Sequence, residues 1–145
     1  MRSLVAVIVS FAIITSSLVL IQCQEEDIME KKTEAITQCT AEHNVSKEAV
    51  KSISINDNVP NDPEVKCWLR CIFEKLGVMK EGQIDWERCK FITKHCLSNE
   101  QDKAKVDQIT EICKAEVPKD EKDECQLAYS AMVCKMKNWK NFGLQ

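Results

Sequence analysis

The chain has 145 residues, enough for one domain with a real core and too few for two comfortable ones. Its 20 basic and 23 acidic side chains give a formal charge of −3 and are mixed along the sequence, which excludes the concentrated basic face of a nucleic-acid-binding protein. With 3 glycines, 3 prolines and many Lys, Glu, Ala and Met residues, the composition favours helix over sheet, and the expected fold is all-α.

In chain order, the first segment is MRSLVAVIVSFAIITSSLVLIQC. Arg2 supplies a positive start, Leu4 to Ile21 is almost unbroken in apolar character, and the first acid is Glu25. Residues 1–23 therefore read as a secretory signal peptide, cut after Cys23 to leave Gln24 first, with residues 24–145 as the domain. An uncleaved membrane anchor and a lipidated Cys23 are the weaker readings of the same run. A first helix is expected from about Asp27 to Thr40, with Ile28, Ala35, Ile36 and Cys39 inward. Asn44-Val45-Ser46 is an N-glycosylation acceptor pattern, and Ser46 is a good N-cap for a second helix carrying Ala49, Val50 and Ile53.

The loop NDNVPNDPEV ends in a helix start, with Asp62 as N-cap and Pro63 at the first helical position. This third helix should stop at Gly77 in a left-handed cap. Its Val65, Trp68, Leu69, Ile72, Phe73 and Leu76 make one wide apolar face. After the turn KEGQ, a fourth helix is expected from Ile84 to about Cys96 with Phe91 and Ile92 inside. Ser98 and Asn99 offer caps for a fifth, to about Ala115, with Val106, Ile109, Ile112 and Cys113 inward. Asp120 opens a last helix holding Cys125, Ala128, Tyr129, Met132, Val133 and Met136, and a tail with Trp139, Phe142 and Leu144 is exposed unless it folds back.

Removal of Cys23 leaves eight cysteines in a chain sent to an oxidising compartment, where disulfides are the default. The stretch KCWLRC puts Cys67 and Cys71 one helical turn apart. A zinc site would want a second short-spaced pair, and His43 and His95 stand alone. A redox pair prefers two intervening residues, and a bond between these two thiols would constrain a single turn. The remaining reading joins each thiol to a different distant segment.

Cys39, Cys67, Cys71, Cys113, Cys125 and Cys134 have 27, 3, 41, 11 and 8 residues between them. This spacing, with the DNVPNDPEVKCWLRCIFEKLGV block and the leader, resembles the insect odorant-binding protein family over nearly the whole mature chain. The resemblance implies about six helices around an internal apolar cavity, with Cys39 bonded to Cys71, Cys67 to Cys125 and Cys113 to Cys134. Cys89 and Cys96 depart from the six-cysteine pattern. One unbroken helix would hold their Cα atoms about 10 Å apart, too far for a bridge, so either the helix ends near Ile92 to Lys94 and they pair, or they stay thiols. A fourth disulfide is expected because secreted proteins rarely keep two free thiols.

The functional expectation is a secreted carrier that binds small hydrophobic molecules such as odorants or pheromones, with no cofactor, metal or catalytic step. The candidate wall is Val65, Trp68, Leu69, Ile72, Phe73, Leu76, Phe91, Ile92, Val106, Ile109, Ala128, Met132, Val133 and Met136, with Tyr129 as a polar contact and Trp139 and Phe142 folding across the entrance. A membrane odorant receptor is a candidate partner, and a monomer or weak homodimer the expected state. His95 is a candidate for pH-triggered release. An enzyme would need a motif such as G-x-S-x-G or H-E-x-x-H, and neither is present. The alternative is a secreted helical signalling or interaction protein without a cavity.

Overall fold

The computed structural model describes residues 27–55 and 58–144. The expected leader, residues 1–23, and the expected first mature residue, Gln24, lie outside the described residues. The helices are α1 (27–43), α2 (Lys47–Ile55), α3 (Pro63–Lys75), α4 (Trp86–His95), α5 (Glu100–Glu116) and α6 (Glu124–Asn141). Between α3 and α4 lies a small antiparallel hairpin, β1 (Met79–Lys80) and β2 (Gln83–Ile84), in which Met79 pairs with Ile84 and Lys80 with Gln83.

From α2 onward each helix start has a local cause. The oxygen of Ser46 accepts from the Ala49 N–H at 3.1 Å. Asp62 accepts from Glu64 and Val65 at 2.9 and 3.4 Å, and Pro63 needs no partner for the N–H it lacks. Asn99 accepts from Gln101 at 2.8 Å. Hydrogen bonding to the Glu64 side chain, then to the Val65 N–H, holds the Asp62 pKa below its usual value, and the same contact raises that of Glu64.

Helix ends are equally local. Gly77 at φ +69° lets its own N–H reach Glu74 O at 2.9 Å and the Val78 N–H reach Phe73 O at 2.7 Å. This is a Schellman motif, as the glycine suggested. The turn KEGQ is a two-residue hairpin: Glu81 and Gly82 both have positive φ, +51° and +70°, which suits the twist of a tight hairpin. The hairpin consumes Ile84, so α4 begins two residues later than expected, capped by Asp85, which accepts from Arg88 at 2.8 Å. The last helix also begins later: Asp123, not Asp120, is its N-cap, accepting from Cys125 and Gln126 at 2.9 and 3.1 Å.

The tail differs more. Helix α6 continues through Trp139 to Asn141, and Gly143 at φ +66° closes a second Schellman motif. Gly143 N–H donates to Lys140 O at 3.0 Å and Leu144 N–H to Trp139 O at 3.1 Å. Leu144 is thereby turned back and buried. Trp139 is part of the helix, not of a loose flap.

Helix α3 is the centre of the packing. It lies chiefly against α6, and its Val65, Trp68, Leu69, Ile72 and Phe73 are buried. The indole N–H of Trp68 donates to Thr40 Oγ1 at 3.0 Å, so this buried polar atom is satisfied. Three disulfides join Cys39 to Cys71, Cys67 to Cys125 and Cys113 to Cys134, with Cα atoms 5.9, 4.5 and 5.7 Å apart. They tie α3 to α1, α3 to α6 and α5 to α6.

The expected fourth bridge is absent. Helix α4 runs unbroken past Ile92 to His95, and Cys96 caps it in helical geometry, so a full run of helix separates the two thiols. Cys89 is half-buried, while Cys96 is exposed, its Sγ 3.8 Å from Met29 Sδ and 3.7 Å from Lys32 Nζ on α1.

Two measurements follow. Thiol titration of the chain 24–145, unfolded without reduction, should give two reactive sulfhydryls, from Cys89 and Cys96; none would mean the bridge forms. Gly77→Ala places a Cβ at positive φ without meeting a close neighbour, so it should lower stability by about 1–2 kcal/mol in urea unfolding through backbone strain alone.

Candidate ligand pocket

A partly enclosed, mainly apolar pocket lies where α4, α5 and α6 meet α3 and the hairpin. Its lining comes from helical stripes: Trp86, Cys89 and Thr93 on α4; Val106, Ile109, Thr110 and Cys113 on α5; Ala131, Lys135 and Trp139 on α6. These positions repeat at three- and four-residue steps, so each set lies on one face of its helix. Phe73 of α3 and Ile84 of β2 complete the ring.

The pocket is tight. About 20 Å³ is left inside, room for roughly one water, although some 420 Å³ of empty space lies among the lining atoms when the part open to solvent is included. Ligand pockets generally hold about 300–1,000 Å³. Admission of a molecule of ten or more carbons therefore requires lining side chains to move.

Its polar groups are few and partnered. Thr110 Oγ1 donates to Val106 O at 2.7 Å and Thr93 Oγ1 to Cys89 O at 2.8 Å, both within their own helices. Lys135 Nζ donates to Thr93 Oγ1 at 2.9 Å and lies 5.7 Å from the centre of the Trp139 ring. The groups with displaced pKa values, Asp62 and Glu64 at the start of α3 and Lys90, whose value is raised chiefly by a hydrogen bond to Glu87, are not in the lining.

Of the wall expected from sequence, the structure brings Phe73, Val106, Ile109 and Trp139 into this lining. Val65, Trp68, Leu69, Ile72, Ile92 and Ala128 are buried core outside it, and Leu76 packs against that core as the α3 C-cap. Phe91 lies outside, 44 % exposed, its ring tilted against His95 at 4.2 Å with Arg88 over its face at 5.5 Å. Tyr129, the expected polar contact, is covered by Lys66 Nζ at 5.0 Å from its ring centre. It belongs to a different face of α6.

Met132, Val133, Met136 and Phe142 are half-buried against the core and do not line the pocket. The buried stripe of α6 is Leu127, Ala128, Ala131, Cys134 and Asn138, a rotation away from the expected one. His95 is also outside, its Nδ1 donating to Phe91 O at 3.0 Å.

Ile84, Trp86, Cys89, Thr93, Thr110, Cys113, Ala131 and Lys135 were missed. For Ala131, Lys135 and Trp139 a signal exists, since a four-residue step from the tryptophan runs through the lysine. A second, more open groove between the hairpin and residues 114–119 includes Lys114 and Lys119 and is more polar. Cys39, Glu42 and Cys71 come close enough to suggest a metal site, but the two thiols are consumed in a disulfide. Asn44 is exposed at φ +50° in the turn between α1 and α2. No helix among the described residues is long and apolar enough to cross a membrane.

Comparison with known proteins places this geometry. Residues 22–138 match the PBP/GOBP family. General odorant-binding protein 19d of Drosophila melanogaster is 28 % identical over 126 residues, 83 % of this chain and 80 % of the relative. Among solved structures, odorant-binding protein dmelOBP28a of the same organism superposes with a TM-score of 0.67 at 20 % identity, covering 83 % of this chain and 99 % of its own. Odorant binding protein 7 of Anopheles gambiae, which has four disulfide bridges and was solved with an azo compound, gives 0.59 at 26 % identity over 79 % of this chain and 87 % of its own.

Trp86 and Trp139 both face the pocket, while Trp68 does not. An apolar molecule that occupies the pocket should change the intrinsic emission of the wild-type chain, and the double variant Trp86→Phe, Trp139→Phe should lose most of that change. Retention of the full response would place the ligand elsewhere.

Proposed function

Because the chain belongs to the PBP/GOBP family, we propose that it is a secreted carrier that takes up small hydrophobic molecules between α3, α4, α5 and α6 and releases them again. The observation that carries this reading is the pocket itself, where apolar stripes from three helices converge with Phe73 and Ile84. The azo compound bound by the Anopheles relative supports the ligand class. Three disulfides suit an oxidising compartment, in keeping with a leader over residues 1–23. Exposed Asn44 is open to glycosylation there. The carrier acts as a monomer or weak homodimer, and a membrane odorant receptor is its candidate partner.

The energetics are modest by design. Each buried methylene contributes roughly 0.8 kcal/mol, against several kcal/mol of lost freedom. A ligand of about ten to sixteen carbons then binds near −8 kcal/mol, a micromolar affinity that permits release. Reopening a closed pocket takes a further share of that energy, so small ligands should bind poorly. No step requires a nucleophile or a metal-bound water. The tightness of the pocket is the feature shared with the alternative, a secreted helical signalling protein with a filled core.

Titration of the oxidised chain 24–145 with N-phenyl-1-naphthylamine separates the two. Saturable binding with a Kd of about 1–10 μM, displaced by long-chain alcohols and esters, is the expected outcome. A linear, non-displaceable signal from correctly bridged protein would overturn the carrier reading.

A further inference from the structure

Lys135 is out of keeping with its position. It lies between Ala131 and Trp139 on the face of α6 that lines the pocket, where the neighbours are Phe73, Trp86, Val106 and Ile109. Taking an ammonium partly out of water is unfavourable unless something replaces its hydration. Here the replacement is meagre: one hydroxyl, Thr93 Oγ1 at 2.9 Å, and the face of the Trp139 ring at 5.7 Å.

Four of the five lysines on α4 and α5 are treated differently; the fifth, Lys114, is exposed. Lys90 pairs with Glu87 at 2.6 Å, Lys94 with Asp107 at 2.6 Å, Lys103 with Glu100 at 2.7 Å and Lys105 with Asp102 at 2.8 Å. Among the described residues, no carboxylate lies within ion-pair distance of Lys135. An ammonium has three donors, and a hydroxyl that already donates to Cys89 O can take only one of them.

We propose that the ligand of this pocket carries an anionic head, a carboxylate on a hydrocarbon chain, and that Lys135 with Thr93 is its anchor. The inference rests on the carrier reading and sharpens it from apolar molecules in general to long-chain carboxylates. The carboxylate completes the ion pair that the protein leaves unmade, while the chain lies along Val106, Ile109 and Phe73. Both parts are needed. A charge-assisted hydrogen bond at a partly dry site contributes about tenfold to a hundredfold in affinity, and the hydrocarbon supplies the rest.

The test compares decanoate, methyl decanoate and decanol as competitors of N-phenyl-1-naphthylamine at pH 7.4, where the free acid is ionised. The expected result is displacement by decanoate at about a tenth or less of the concentration needed for the ester. In Lys135→Met the ratio should fall towards one, and in Lys135→Arg the acid should remain preferred. Equal displacement by acid and ester in the wild type overturns the anchor and leaves the carrier reading standing, with Lys135 merely extending its stem to reach water. A preference that persists unchanged in Lys135→Met also overturns it, because another group would then hold the head. Absence of probe binding overturns both readings together. The wild-type ratio needs no variant to fold.

Discussion

Everything in this molecule hangs on α3 being fastened on two sides. Cys71 ties it to α1 and Cys67 ties it to α6, and the second bridge closes a loop of 58 residues in sequence. The third bridge, Cys113 to Cys134, fastens α5 to α6 across a shorter span of 21. In the loop-entropy picture each closure raises the free energy of the unfolded chain by about 3–4 kcal/mol. Two thiols one turn apart are what allow a single helix to receive both. Stability thus comes partly from covalent limits on the unfolded state. The interior is correspondingly less obliged to be packed to the last methylene, which is the condition for a binding pocket in so small a domain.

The bridges also dictate which faces remain for a ligand. Cys67 and Cys71 fasten α3 to α6 and α1, and Phe73 is its contribution to the pocket. Cys113 sits in the lining itself, so one wall is a disulfide that cannot retreat. Asn138 reinforces it: the buried amide donates to Cys134 O at 2.9 Å and comes within 3.5 Å of Cys134 Sγ. Rigid along that wall, the pocket must open elsewhere. Lys135, a long flexible side chain, and Trp139, in the last turn of α6, lie on the opposite edge of the same stripe.

The fold was legible because its signals are local. Ser46, Asp62 with Pro63, Asn99 and Gly77 each act through one or two backbone hydrogen bonds, and each was readable from residue type. The pairing of the six cysteines followed from the family resemblance, since geometry alone leaves many pairings open. The pocket was less legible for two physical reasons. Leu127, Ala128, Tyr129, Ala131, Met132 and Val133 make α6 apolar on most sides, so periodicity does not set its rotation. A search confined to apolar residues also discards Thr93, Thr110 and Lys135, which carry the pocket's polarity. Phe91 fails in the opposite sense, an apolar ring held on the surface by Arg88 and His95.

The room left in the pocket, about 20 Å³, has an energetic consequence. A dry void at the lower end of ligand pockets, about 300 Å³, would destabilise the empty protein by about 7 kcal/mol at the usual cost of a cavity. That is comparable with the whole stability of a small domain. A pocket with about 20 Å³ of room carries almost none of that cost. Where lining side chains must give way for a ligand, the apparent affinity is the intrinsic affinity multiplied by the small fraction of open molecules. For the proposed carrier, weak, reversible binding then follows from the tight lining and needs no separate release device. A head group that meets an ammonium already waiting in the wall would offset part of that opening cost, and only ligands with such a head would gain from it.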